Sequence, residues 1–196
     1  MNSRFDSWCP DPDLYLGPIM KRPYPLSKVY SLLESGPIIM VATAHKGRNN
    51  VMTMSWHTMI DFNPPMVGCV ISDQSHTFDI LKKTKECVIG IPTLEMAKKA
   101  IACGNVSGKN TDKFKAFGLT PLAASRVKAP RIAECYADLE CKLVDSGMAG
   151  KYNLFIFEVV KAWVDTSKKA PKTIHHCGKG KFIVAGKPVS IPSKKL

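Results

Sequence analysis

The sequence predicts a mainly β domain, an antiparallel barrel with peripheral helices. Three observations predict it. Apolar runs of strand length recur along the chain, each bounded by Gly, Pro or Asn. Helical periodicities are few and short. No GxGxxG follows a strand, and neither GxxxxGKS nor GxxxxGKT occurs, so a dinucleotide fold and a phosphate-binding loop lack support. Short strands with turn signals favour a barrel over a doubly wound sheet.

Each element follows from local residues. Pro10, Pro12, Pro18, Pro23 and Pro25 break any regular pattern over residues 1–25, which read as an arm lying on the domain surface. Leu26, Val29, Tyr30, Leu32 and Leu33 mark a short amphipathic helix ending at Gly36-Pro37. Ile38 to His45 is apolar and reads as a buried strand. Lys46-Gly47-Arg48-Asn49 is a hairpin turn, and Asn50 to Met59 alternates as its partner strand. Asn63-Pro64-Pro65 is a break, and Met66 to Ser72 is another buried strand. Ser75 offers a hydroxyl to cap a helix over Thr77 to Thr84. Cys87 to Ile91 is a strand that Pro92 terminates. Thr93 is the expected N-cap of a helix reaching about Cys103. Gly104 to Asn110 is a polar loop, and Thr111 to Phe117 a short helix before Gly118. Ala137–Asp145 and Tyr152–Val164 are long β patterns around the turn Ser146-Gly147-Met148-Ala149-Gly150. The second carries Leu154, Phe155, Ile156, Phe157, Val159 and Val160, which predicts cover on both faces. The chain after Ala170 is rich in Lys, Gly and Pro. The organisation expected is an arm (1–25), one domain (26–186) and a basic tail (187–196).

Composition bounds the function. The 196 residues suffice for one sizeable core, and 45% hydrophobic content is a globular value. No apolar run is long enough to cross a bilayer, and the polar start Met1-Asn2-Ser3 is no secretory leader; the expected location is cytoplasmic. The seven cysteines are odd in number with no CxxC pair, which argues against a disulfide framework or zinc site. Cys69 and Cys87 read as small buried hydrophobes; Cys103 and Cys177 lie beside glycines, and a structural role is still the better reading. The net charge of +12 attracts anions: a phosphorylated cofactor, an acidic protein or nucleic acid. A basic nucleic-acid-binding module is the reading from a different class. It lacks the clustered surface aromatics of such modules.

Thr53, Ser55 and His57 share one face of a strand, with Met52, Met54 and Trp56 on the other. Such a face is either a wet barrel surface or a ligand strand. Ser75-His76-Thr77 at a helix start is either an ordinary cap or an anion site. The loop from Cys103 to Phe114 is long and hydrophilic, as functional loops often are. His175-His176-Cys177 lacks metal-ligand spacing, so no metal is expected.

The motifs together carry a resemblance. Gly36-Pro37, Asn50-Val51-Met52-Thr53-Met54-Ser55-Trp56-His57, Asn63-Pro64-Pro65 and Ser75-His76-Thr77 come first. Cys103-Gly104 with Ser107-Gly108, Asp112-Lys113-Phe114, Gly118-Leu119-Thr120, Pro130-Arg131-Ile132, Glu134-Cys135 and Leu139-Glu140-Cys141 follow in order. Over about residues 26–186 the chain resembles the flavin reductase-like, FMN-binding split-barrel family, and within it the flavoredoxins. The resemblance implies a six-stranded antiparallel split barrel and a homodimer with one FMN per subunit near the interface. It implies cofactor contacts from Asn50, Val51, Met52, Thr53, Met54, Ser55 and Trp56. Ser75, His76, Thr77 and Lys113 would serve the polar end, and Phe182 would cover the ring. Tyr152 stands where related flavoredoxins carry His. The activity implied is FMN-dependent electron transfer with a redox protein or NAD(P)H. The alternative is an NAD(P)H:flavin reductase using FMN as substrate. The flavin does the redox chemistry, so no catalytic side chain is expected.

Overall fold

The computed structural model describes residues 36–187 and 189–190. The expected N-terminal arm, the helix over Leu26–Ser35 and most of the basic tail lie outside the described residues.

β1 (Ile39–His45) and β2 (Arg48–Met54) form a hairpin in the register Ile39↔Met54 to His45↔Arg48. Lys46 and Gly47 join them at φ of 50° and 73°. A two-residue hairpin turn that matches strand twist needs positive φ at both positions, which glycine adopts without strain. Then come β3 (His57–Phe62), β4 (Pro65–Val70), α1 (His76–Thr84) and β5 (Glu86–Ile91). A 3-10 turn (Leu94–Met96) leads into α2 (Ala97–Asn105) and α3 (Lys113–Ala116). β6 (Pro121–Leu122) and β7 (Arg131–Ile132) make a small hairpin. β8 (Ala137–Asp145), α4 (Ala149–Tyr152) and β9 (Leu154–Val164) follow, and β10 (Ile174–His176) pairs with β11 (Phe182–Val184).

Seven strands form one antiparallel sheet in the order β2-β1-β5-β8-β9-β4-β3. Its two edge strands, β2 and β3, are consecutive and joined only by Ser55-Trp56. The edges must therefore meet at that corner, and the chain itself closes the curl. This is a split barrel, with seven strands where six were expected.

Alternation gives the sheet two apolar faces. Ile39 and Val41 point inward with Cys69, Leu81, Cys87, Phe155 and Phe157. Phe78 of α1 meets Phe155 edge to face, with ring centroids 5.1 Å apart. Met40, Ala42, Val51 and Val88 point the other way, under Met96, Ala100, Cys103 and Phe114 of the helical layer. Burying each large side chain contributes about 1.5–3 kcal/mol, so α1–α3 are held by packing more than by propensity.

Several expectations change. Asn50–Met59 is not one strand: the alternation continues, but the pairing partner switches from β1 to β4 across Ser55-Trp56. His57 holds the corner, its Nε2 lying 2.7 Å from the Pro37 carbonyl. The hydroxyl of Thr93 does not cap a helix; it hydrogen-bonds the Glu95 carboxylate, and a 3-10 turn precedes α2. Tyr152 ends a helical turn instead of opening a strand, because Asn153 takes a left-handed φ of 59°. β9 is covered only along its first half, and its end from Lys161 to Val164 is exposed. β10 and β11 went unforeseen inside the Lys- and Gly-rich region. Cys69, Cys87 and Cys103 are buried, in keeping with structural roles.

Candidate functional site

Among the described residues β2 is an edge strand, hydrogen-bonded only to β1. Its outer side is therefore free to line a groove, and three linked chambers run along it. The inner chamber, about 310 Å³, has Asn50, Met52 and Thr53 as its floor. The start of α1 (Ser75–Thr77) forms one wall, and the stretch from Cys103 to Gly108 with Lys113 forms the other.

Asn50 is buried, and its Nδ2 donates to Thr77 Oγ1 at 2.9 Å and to Thr43 Oγ1 at 3.4 Å. Its Oδ1 has no hydrogen-bond partner among the described residues. A buried unpaired acceptor costs about 1–3 kcal/mol. Gly108 closes over it: a Cβ there would lie 1.8 Å from that oxygen. Thr53 is committed to α2, its hydroxyl donating to the Ala100 carbonyl at 2.5 Å. Ser75 caps α1, accepting from the Phe78 amide at 3.2 Å, which leaves its hydroxyl proton free to donate.

Lys113 is buried at the base of this chamber. Its ammonium donates to the Cys103 carbonyl at 2.7 Å and has no carboxylate partner among the described residues. Desolvation lowers its pKa, with the adjacent Cys103 thiol opposing. Burial in turn pushes the Cys103 thiol up to about 11, so it is a thiol at neutral pH. A buried cation without a counter-charge is costly and fits a site built for an anion.

Toward the barrel corner the groove widens into an apolar chamber of about 490 Å³. Ile38, Met54, Ile101 and Phe182 line it, with Ser55 and His176 as polar members. Phe182 and His176 face each other across the β10–β11 hairpin, ring centroids 5.1 Å apart. In the other direction lies a chamber of about 400 Å³ that shares Asn50, Ser75, His76 and Gly108 with the inner one. Its walls carry Lys46, Arg48, Lys83 and Lys109 against the single carboxylate of Asp79. Desolvation, with the charges of Arg48, Lys109 and Lys83, lowers the His76 pKa against the pull of Asp79.

The groove thus brings together Asn50, Met52, Thr53, Met54, Ser55, Ser75, His76, Thr77, Lys113 and Phe182. Three expected residues line none of its chambers. Val51 points into the core, Trp56 is 58% exposed at the corner, and Tyr152 is 56% exposed on α4. Gln74, Ile38, Ile101 and His176 were not foreseen as lining residues. In the sequence His176 stands beside His175 and Cys177 alone, and the hairpin that sets it against Phe182 carries no strand signal. Among the described residues no three His, Cys, Asp or Glu side chains are placed to hold a metal ion, and no helix is long and apolar enough to cross a membrane.

Comparison with known proteins points to one family. The sequence pattern of the family described as "Flavin reductase like domain" matches residues 32–182. An uncharacterised Archaeoglobus fulgidus protein is 34% identical over 111 residues, 57% of this chain but only 63% of that relative's length. Among solved structures, the FMN-binding domain of a flavin reductases-like enzyme from Shewanella baltica is 28% identical, with a TM-score of 0.76, covering 86% of this chain and 96% of the other. Flavoredoxin of Desulfovibrio vulgaris is 23% identical at a TM-score of 0.75, over 82% of this chain and 92% of its own, a likeness of fold.

Proposed function

We propose, for a chain that belongs to the flavin reductase like domain family, that the groove along β2 binds FMN. The protein then acts as a flavin-dependent oxidoreductase that passes electrons through the bound cofactor, as a flavoredoxin does, in the cytoplasm. The observation that carries this reading is the buried ammonium of Lys113 at the base of the groove, which has no carboxylate partner among the described residues. The orphaned Oδ1 of Asn50 supports it, since a ligand hydroxyl or amide would satisfy that atom.

The residues present fit the group. Ser75, Thr77 and the free amides at the start of α1 would hold the phosphate. Thr77 accepts from Asn50 and keeps its own hydroxyl proton for a ligand oxygen. Asn50 would accept from the ribityl chain, and Lys113 supplies positive charge through two unused N–H donors. The outer backbone edge of β2 offers N–H and C=O groups to the heteroatoms of the ring, while Met54, Ile101 and Phe182 offer an apolar bed. Bound FMN supplies one- and two-electron redox chemistry. The chain's own work is positional and electrostatic, and no side-chain acid or base is assigned.

We also propose a homodimer through the β3 edge. Trp56, Met59, Ile60 and Phe62 are exposed there, a large apolar surface for a lone chain. Trp56 and Tyr152, outside the groove of their own chain, would approach a site only from such a partner. The test is retention of FMN by the purified full chain through gel filtration. NAD(P)H oxidation with and without added free FMN then separates a prosthetic group from a flavin substrate.

A further inference from the structure

The cationic chamber beyond α1 is larger and more charged than a single phosphate needs. The FMN phosphate is accounted for at the seam, by Ser75, Thr77 and the amides of α1. Past the seam, Lys46, Arg48, Lys83 and Lys109 surround about 400 Å³, with Asp79 the only carboxylate. None of the four cations is ion-paired among the described residues. They come from three separate elements: the β1–β2 hairpin, the end of α1 and the loop after α2. Such convergence is not the signature of one solvated helix face. Like charges gathered in one concavity repel each other and are relieved by a bound polyanion.

The second observation is Asn50. It is 4% exposed, its Oδ1 is unpartnered, and it lines both this chamber and the inner one. It therefore sits where a ligand would pass from one chamber to the other. Gly108 packs against that oxygen at the seam, where any Cβ would collide with it.

We infer that the chamber is a subsite for the second phosphate and adenosine of an adenylated flavin, so that FAD binds this protein more tightly than FMN. This rests on the flavin reading above, with the FMN moiety in the inner and apolar chambers for either ligand. Arg48 and Lys109 would hold the second phosphate beyond the seam. His45, Asn49 and Gln74 on the same walls offer hydrogen-bonding groups to a sugar and purine.

The experiment is titration of the full chain with riboflavin, FMN and FAD at low salt, beside the double variant Arg48→Ala/Lys109→Ala. The expected result is FAD at least about tenfold tighter than FMN in the unaltered protein. In the double variant the FAD advantage is lost while FMN affinity stays within about twofold, which also shows that the variant is folded. Equal affinity of the two flavins in the unaltered protein overturns the inference. An equal loss for both in the variant overturns it too, since the cations would then serve the FMN phosphate. If no flavin binds at all, the flavin reading itself falls and takes this inference with it.

Discussion

The side-chain amide of Asn50 ties the edge strand β2 to the first turn of α1, donating to Thr77 Oγ1 at 2.9 Å while its own oxygen stays unpaired under Gly108. This contact joins the strand half of the groove to the helix half. Asn50→Ala should weaken FMN binding by about tenfold, the worth of one well-placed hydrogen bond to a buried partner. Gly108→Ala forces its Cβ toward the same oxygen and should weaken binding at least as much. Fluorescence titration with FMN checks both. Unchanged affinity in both variants would remove Asn50 from the site.

Lys113 separates ligand binding from stability. Its ammonium is desolvated and, among the described residues, bonded only to the Cys103 carbonyl. Lys113→Met removes a buried charge and keeps most of the volume. The flavin-free protein should melt at the same or a higher temperature, because the desolvation cost disappears. Affinity for FMN should fall by about tenfold or more. A parallel loss of stability and affinity would make Lys113 a structural residue.

Asp138 sets a pH window. Burial raises its carboxyl from 3.8 to about 6, against the Ile132 amide that donates to it at 3.2 Å and the charge of Arg131. Between about pH 4 and 6 the folded chain keeps a proton that the unfolded chain has released. Stability should therefore fall as pH rises through that window and level off above it. Asp138→Asn keeps an acceptor for Ile132 and should flatten the slope. Melting temperatures of both proteins across the window test this.

The β3 edge should be an interface. Phe62 is 78% exposed and Met59 51% exposed on an edge strand whose other side pairs with no strand among the described residues. Phe62→Lys with Met59→Lys should yield a monomer in sedimentation, with the fold retained by circular dichroism. A parent protein that already sediments as a monomer would contradict the dimer.

The legible parts of the fold were those with apolar runs and sharp punctuation. β1, β4 and β5 are apolar, largely buried runs, β8 alternates apolar and charged residues, and Lys46-Gly47 is a hairpin signal in itself. The corner at Ser55-Trp56 was not legible. Side-chain alternation reports which face a residue takes, and carries no record of a change of partner strand. Composition hid β10 and β11, since Lys and Gly there read as tail, and without that hairpin nothing set His176 against Phe182. Ser75 and Thr77 were readable from the cap pattern. Asn50 and Val51 were read alike, although period two sends Asn50 to the groove and Val51 to the core. Lys113 came from motif resemblance, because burial of a lysine leaves no trace in its neighbours.

Whether the groove along β2 holds a flavin is decided by the visible spectrum of the full chain during FMN titration. The flavin band should be perturbed saturably by the native protein, and NAD(P)H or a chemical reductant should bleach the bound flavin. Lys113→Met should respond more weakly, at the same or a higher melting temperature. Flavin that remains spectrally free at every protein concentration would contradict a flavin site in this groove.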